Sequence, residues 1–168
     1  MSHYYPLPVG GKTNEPEHDA NVMLAGEMLE SMMSGATLKQ IYNIPDDMLE
    51  AVYAHAYSLY QKGNMADAGH VFHFLCMHDM YNVKYLYGLA SVHQQKKEHE
   101  KAAQLYTLCY MLDESNYQSL FYAGQCNLAI KNLSQAKACF NALVDSNAPS
   151  SLKKQGQAFL AALVKVKD

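Results

Sequence analysis

The sequence repeats itself every 34 residues, and this period constrains the fold more than any other feature. Small residues, aromatic residues and a further class of apolar residue all recur at that spacing. The three sets are Ala68, Ala102 and Ala136; Phe72, Tyr106 and Phe140; and Leu75, Cys109 and Leu143. A fourth set of small residues precedes the alanines and consists of Ala56, Ala90 and Gly124. Four classes of position that keep one period indicate a repeat protein, in which each unit packs against its neighbours.

Each unit divides into two helices. Asp46 and Asp47 follow Pro45 and place acidic side chains where a first helix begins, which the helix dipole favours. The breaks within the units fall at Gly63-Asn64, Lys97-Glu98 and Lys131-Asn132, and second helices are expected near 65–78, 99–112 and 134–146. Small residues let the paired helices approach closely, and the aromatic residues fill the space between pairs. This pattern resembles the tetratricopeptide repeat, in three copies over 49–150.

The segments outside the repeats predict capping helices, because the end of a solenoid exposes an apolar face. Residues 20–34 form an amphipathic helix with an apolar set of Val22, Leu24, Met28, Leu29 and Met32. Residues 150–166 form another, with Leu152, Phe159, Leu160 and Leu163. The Pro- and Gly-rich residues 1–19 predict a disordered tail. We therefore expect an all-α fold and one domain over 20–168, in which three tetratricopeptide repeats stack as a short right-handed solenoid with N- and C-terminal capping helices.

Composition and charge exclude several classes of function. The chain has 168 residues, of which 49% are hydrophobic and 17% charged, as in one soluble domain. A net charge of −3 favours neither nucleic acid nor an anionic membrane surface. The N-terminal residues lack the features of a secretory signal, so we expect the four cysteines to be reduced in a cytosol. No phosphate-binding loop, nucleophile elbow or HExxH motif points to an enzyme, and we expect no cofactor.

The segment HVFHFLCMHD, residues 70–79, is the best candidate for a metal site. On a helix that turns about 100° per residue, His78 falls about 160° from Cys76. A four-ligand tetrahedral site on this helix alone is therefore excluded, which leaves open only a two-ligand site from His70 and His73. We expect no metal, and we expect the histidines to lie on the convex surface and the seam between repeats.

The repeat frame assigns another set of residues to the concave face, which the first helix of each pair lines. Tyr53, Tyr57 and Tyr60 recur at i, i+4 and i+7, so they share one helix face. A stripe of this kind is more often core, but the core positions of this helix are instead Val52, Ala56 and Leu59. Tyrosine offers a large contact area and a hydroxyl group for peptide carbonyls. The frame thus predicts a peptide-binding groove that includes Tyr53, Tyr57, Tyr60, Gln61, Tyr87, Ser91, Gln94, Phe121 and Gln125.

A competing use of this fold is the carboxylate clamp, in which cationic and asparagine side chains at inward positions bind an acidic C terminus. The corresponding positions in this chain hold Tyr53, Tyr57, Gly88, Gln118 and Tyr122. None of these residues is cationic, so we do not expect a clamp.

Short sequence segments along the chain indicate a more specific resemblance than the repeat alone. They are SGATL (34–38), IPDDM (44–48), YAHAYSLYQKG (53–63), FLCMHDMYNVKYLYGLASV (74–92), KAAQLY (101–106), AGQCNL (123–128) and QAKACF (135–140). Over roughly residues 20–165 the chain resembles the class II chaperones of bacterial type III secretion. The words between 34 and 92 resemble the branch that serves the invasion-type systems of enteric bacteria.

This resemblance implies a cytoplasmic, non-enzymatic bacterial virulence chaperone. Its groove would bind an extended N-terminal segment, Pro-x-Leu-x-x-Pro, of two hydrophobic translocator proteins, one at a time, and keep them soluble, apart and secretion-competent. The groove tyrosines of the family match Tyr53 and Tyr60, with Tyr57 at an aromatic position and second-repeat contributions from around Tyr85 and Tyr87. Some members of the branch also bind an AraC-type activator. An indirect role as a transcriptional coactivator therefore stays open, as do a generic protein-interaction adaptor and a weak homodimer.

Overall fold

A computed structural model describes residues 15–165, with side chains described from residue 22 onward. The regular elements in this range are the helices α1 Glu15–Met33, α2 Leu38–Ile41, α3 Asp46–Gln61, α4 Met65–His78, α5 Val83–Gln95, α6 His99–Leu112, α7 Tyr117–Ala129, α8 Leu133–Asp145 and α9 Ser150–Lys165. None of the described helices is long and apolar enough to cross a bilayer. The prediction of an all-α fold with three helix pairs is confirmed.

The chain separates into two compact units at the boundary between Asn43 and Ile44. The first unit contains α1 and α2. Of the predicted tail, residues 1–14 lie outside the described residues and 15–19 belong to α1, which begins before its predicted start at 20. Residue 166, the predicted end of the last helix, also lies outside them. That residues 20–168 act as a single domain stays a prediction.

The apolar residues of α1 do not form a narrow stripe. Val22, Leu24 and Leu29 are 59%, 55% and 60% exposed. Val22, Met23 and Leu24 are consecutive, and successive residues of a helix are turned by about 100°. These three apolar side chains therefore point to different sides of the helix.

The second unit is a solenoid in which each helix from α3 to α9 packs against the next. Three equivalent turns join the helices of each pair, at Gly63, Lys97 and Lys131. These residues have φ values of 78°, 62° and 61°, the left-handed conformation that ends many helices. In each turn the residue that follows donates its N–H to a carbonyl group five positions earlier, as Glu98 does to His93 at 2.9 Å. The breaks predicted from the sequence are these turns.

The residues that recur every 34 positions form the core of the solenoid, as predicted. The alanines at the helix crossings, Ala56, Ala68, Ala90, Ala102 and Ala136, are 0% exposed. The aromatic and apolar sets are equally buried, at 0–1% for Phe72, Tyr106, Phe140, Leu75, Cys109 and Leu143. Burying one leucine or phenylalanine side chain stabilises the folded state by roughly 1.5–3 kcal/mol. The period seen in the sequence is therefore the period of the packing.

Two glycines let an aromatic ring lie directly on the backbone of a neighbouring helix, the next helix for Phe72 and the preceding helix for Phe140. A Cβ atom built on Gly88 of α5 would lie 2.2 Å from Cε1 of Phe72, and one on Gly124 of α7 would lie 2.7 Å from Cε1 of Phe140. Both distances are far inside van der Waals contact. The seat for each ring therefore requires a residue without a side chain.

Helix α9 covers the C-terminal end of the solenoid. Leu152 and Leu163 are buried, and Phe159 stacks on Phe140 with ring centroids 4.9 Å apart. The same ring meets Phe121 of α7 edge-on at 5.8 Å. The apolar set predicted for this helix thus faces the third repeat, and the C-terminal cap is confirmed.

Replacing Gly88 by alanine should destabilise the solenoid by about 1–3 kcal/mol, because the added methyl group displaces the Phe72 ring. Denaturant unfolding followed by circular dichroism measures this change. Gly26→Ala is the matched control, since nothing lies within 4 Å of its Cβ position and alanine is the better helix former. An unchanged unfolding midpoint for Gly88→Ala would show that the ring is not seated on α5.

Candidate functional site

A cavity of about 650 Å³ lies on the face of the solenoid formed by α3 and α5. Helices α4, α6 and α7 and the turn before α6 complete its walls. Its lining residues are Tyr53, Tyr57, Tyr60, Phe72, Tyr87, Gly88, Ser91, Gln94, Gln95, Lys97, His99, Tyr106 and Tyr122. Aromatic rings and amide side chains dominate this surface, a composition that suits contacts with both apolar side chains and backbone amides.

Six of the ten residues predicted to form the groove line this cavity. They are Tyr53, Tyr57, Tyr60, Tyr87, Ser91 and Gln94. The tyrosines of α3 share one face, and the ring centroids of Tyr53 and Tyr57 are 6.4 Å apart. Tyr57 is 47% exposed, whereas Tyr53 and Tyr60 are half-buried. The geometry brings these side chains together, and their role in binding stays a prediction.

The other four predicted residues lie elsewhere. Gln61 is exposed and Gln125 half-buried, and neither lines the cavity. Tyr85 is only 4% exposed, because it lies about 200° around α5 from Tyr87 and so faces the core when Tyr87 faces the cavity. Phe121 is 5% exposed, because Phe159 of α9 covers it. Neither Tyr85 nor Phe121 therefore lines the cavity, and their role in peptide binding stays a prediction.

One position of the repeat explains why the cavity opens where it does. Ser91, Gln125 and Phe159 are spaced by 34 residues and so occupy equivalent places on successive helices. The phenylalanine fills the space beside Phe121, whereas the small Ser91 leaves the space beside Tyr53 empty. Side-chain size at this one position separates the open part of the face from the filled part.

Several cavity residues were not predicted from the sequence. Phe72 and Tyr106 belong to the aromatic class that the period assigned to the space between pairs, yet they form the floor of the cavity. Gly88 leaves room for the Phe72 ring beneath the cavity, since a Cβ atom at this position would overlap the ring. A glycine on a groove-lining helix, opposite an aromatic residue, was the signal available in the sequence.

A hydrogen-bond network stiffens the floor. The Tyr106 hydroxyl donates to Oε1 of Gln94 at 2.8 Å and lies 3.1 Å from Oγ of Ser91. Ser91 in turn donates to the carbonyl oxygen of Tyr87 at 2.9 Å. Burial raises the pKa of Tyr106 and of Tyr87 well above the ordinary value, so both remain neutral hydrogen-bonding groups at physiological pH.

A smaller cavity of about 350 Å³ adjoins the first and shares Tyr53 and Tyr87 with it. Lys84 and Asp113 bring opposite charges to its lining. Nζ of Lys84 lies 2.9 Å from Oε2 of Glu50 and 4.7 Å from the centroid of the Tyr53 ring. The hydrogen bond to Glu50 raises the pKa of Lys84. The two cavities together form a continuous strip along the face, which we call the groove.

The histidine cluster lies away from the groove. His70 and His73 are exposed on α4, and Nδ1 of His78 lies 2.8 Å from the carbonyl oxygen of Phe74. Burial raises the pKa of Cys76 to about 12, the opposite of what a metal-binding thiolate needs. Among the residues with described side chains, no group of three His, Cys, Asp or Glu is placed to hold a metal ion.

Comparisons with known proteins place this architecture in a family. The tetratricopeptide repeat family model matches residues 49–82 and 83–116. The chaperone protein SicA of Salmonella typhimurium is 38% identical over 134 residues, which cover 80% of this chain and 81% of SicA. The type III secretion translocator chaperone SycD of Yersinia enterocolitica superimposes with a TM-score of 0.67 at 27% identity, over 76% of this chain and 98% of SycD. The chain belongs to the family of type III secretion translocator chaperones.

A further solved structure within this family contains a bound segment of another protein. It holds PcrH, a protein of Pseudomonas aeruginosa, in complex with the chaperone-binding region of PopD. It superimposes on this translocator chaperone with a TM-score of 0.68 at 30% identity, over 74% of this chain and 97% of PcrH. The resemblance to type III secretion chaperones, predicted from short sequence segments, is thereby confirmed.

The raised pKa values of Tyr87 and Tyr106 predict that the protein loses stability at alkaline pH. Because folding raises these pKa values, the contribution of the two neutral hydroxyl groups to the free energy of unfolding is complete below about pH 10 and is lost as the pH rises beyond it. Denaturant unfolding between about pH 8 and about pH 11 should show this decline, and it should be shallower in Tyr106→Phe. Absorbance near 295 nm provides the second reading. Complete tyrosine ionisation near pH 10 in the still-folded protein would contradict the burial of these hydroxyl groups.

Proposed function

We propose that this chain is a chaperone whose groove binds an extended N-terminal segment of a hydrophobic type III translocator in the bacterial cytoplasm. Binding would keep two such clients soluble, apart and competent for secretion, one client at a time. No covalent step is required. A groove that binds the exposed apolar segment of a client lowers the concentration of free client that can aggregate.

The observation that carries this proposal is the tyrosine-lined cavity between α3 and α5. Tyr53, Tyr57 and Tyr60 present ring faces to apolar side chains, and hydroxyl groups and the amides of Gln94 and Gln95 offer partners for a peptide backbone. An extended segment exposes both kinds of group along its length. The proposal draws further support from PcrH, whose structure contains a translocator region.

The groove is held in shape before a client arrives. The Tyr53 ring lies 5.9 Å from the rings of both Phe72 and Tyr85, and its other neighbour is Tyr57. Nε2 of Gln95 donates to the Tyr60 hydroxyl at 3.4 Å. Side chains that are already ordered lose little conformational entropy on binding, which leaves more of the contact energy for affinity.

Tyr57→Ala should weaken binding of a short fluorescent peptide containing Pro-x-Leu-x-x-Pro by roughly tenfold, because a large aromatic contact is lost. Fluorescence anisotropy measures the Kd. Tyr81→Ala is the matched control, since Tyr81 is 52% exposed against 47% for Tyr57 but does not line the cavity. Equal affinities for the wild type and Tyr57→Ala would remove Tyr57 from the binding surface.

Ser91→Phe should abolish most peptide binding, because the ring would fill the cavity. Phe159 fills the equivalent space two periods later, in the capping helix α9. Ser91→Ala removes the hydroxyl group, with its contacts to Tyr87 and Tyr106, but adds no volume, so it should bind as the wild type does. Undiminished binding by a folded Ser91→Phe variant would place the peptide outside this cavity.

A further inference from the structure

The larger cavity has an uneven distribution of charge. None of its lining residues carries a carboxylate, and Lys97 is the permanent cation among the side chains described there. The ammonium group of Lys97 forms no ion pair with a described carboxylate. An acceptor group that entered this end of the groove would therefore meet a cation that is not already neutralised.

The backbone holds Lys97 at the edge of the cavity. Its φ of 62° is the left-handed conformation that glycine adopts without strain, and its N–H donates to the carbonyl oxygen of Gln94 at 3.0 Å. Lys131 has the same conformation one repeat later but does not line the cavity. The conformation of the turn therefore does not distinguish Lys97 from Lys131. The position of Lys97 beside the cavity does.

His99, the first residue of α6, adds a hydrogen-bond donor at the same end. Its Nδ1 atom is buried without a partner. A buried N–H without a partner is rarer in proteins than a buried acceptor without one, so we assign the proton to Nε2. The ring lines the cavity, and Nε2–H is then the group that can donate into it.

Glu98 lies between these two residues, but its carboxylate is already engaged. It lies 2.5 Å from Nδ1 of His93, 3.4 Å from Nζ of Lys96 and 3.5 Å from Nζ of Lys101. The hydrogen bond from His93 and the two lysines hold the pKa of Glu98 well below its usual range, at about 2. Glu98 therefore stays ionised and is paired with His93, Lys96 and Lys101 rather than with Lys97.

The opposite end of the groove has different electrostatics. There Lys84 is neutralised by Glu50, while Asp113 brings a carboxylate to the lining of the smaller cavity. The Asp113 carboxylate accepts hydrogen bonds from the backbone N–H and the hydroxyl group of Ser115, which fix its position. A peptide that lies along the groove thus spans an electropositive end and an electronegative end.

We infer that Lys97 and His99 form an acidic-residue subsite, which selects client segments with an aspartate or glutamate at that end of the groove. This inference rests on the proposed function and adds a charge requirement to it. The apolar part of the segment would supply affinity at the tyrosines, and the carboxylate would fix the register and direction of the chain.

Two series of fluorescent peptides test the subsite. Each series carries Glu, Gln or Lys at one position beside Pro-x-Leu-x-x-Pro, before the first proline or after the last. In one series the wild type should bind the Glu peptide about three- to tenfold more tightly than the Gln peptide, with the Lys peptide weakest, and added salt should reduce the difference. Equal affinities for Glu and Gln peptides in both series would overturn the inference.

Charge reversal separates the subsite from a general effect of net charge. Lys97→Glu should reverse the preference so that the Lys peptide binds best, and Lys131→Glu, with the same backbone conformation and the same charge change, should not. Lys97→Gly should lose the preference while its Tm stays level or rises, because glycine relieves the left-handed strain. If Lys97 had only a structural role, the Lys97→Gly variant would have a lower Tm and an unaltered preference for the Glu peptide. Loss of the preference in Lys131→Glu as well would also overturn the subsite.

The two proposals fail in different ways. If the Gln peptides bind and Tyr57→Ala weakens them, but no charge preference exists, then only the subsite is wrong. If no peptide in either series binds, the proposed function is wrong and the subsite is wrong with it. A His99→Leu variant that keeps Lys97 should show a reduced preference for Glu, and a full preference there would limit the subsite to Lys97.

Discussion

The structure of the solenoid depends on one kind of contact, an aromatic ring of a second helix seated on a glycine of a neighbouring first helix. Phe72 occupies such a seat on Gly88 of the next pair, and Phe140 on Gly124 of its own pair. These contacts set how closely neighbouring helices approach, because a single methyl group at either glycine would overlap the ring. The Phe72 ring, which is 1% exposed, also forms part of the cavity floor. Core and groove are therefore two sides of the same aromatic layer.

The same repeat then yields different surfaces through side-chain volume. Ser91 and Phe159 occupy equivalent positions, yet one borders an open cavity and the other closes the face over Phe121. A backbone that repeats every 34 residues needs no change in its course to be open beside Tyr53 and filled beside Phe121. The last repeat instead uses the equivalent space for capping contacts, which a solenoid needs at its end.

The sequence predicted those features that depend on contacts within one period. Helices, turns and the buried alanines follow from spacing, because each involves neighbours at fixed offsets. Tyr85 and Phe121 do not line the cavity, for different reasons. Tyr85 was predicted from the family resemblance, which did not indicate the side of α5 on which it lies. Phe121 is buried by the capping helix α9, which lies outside the three repeats. Lys97 and His99 were not predicted, because their position depends on a left-handed turn that the pattern favours for glycine.

The division between apolar contacts and charge in the groove has a physical consequence for selectivity. Rings that are fixed by the core, such as Tyr53 against Phe72 and Tyr85, can bind many apolar segments well, because stacking and burial discriminate weakly between similar side chains. If the chain binds two clients, as we propose, it gains from this tolerance. It must still reject the many other apolar segments in a cell, and tolerance alone cannot do so. A cation at one end and a carboxylate at the other oppose segments of the wrong charge or direction at little cost to the shared apolar affinity. Selectivity can therefore reside in Lys97 and Asp113, at the margins of a binding surface whose centre is set by the packing of the fold.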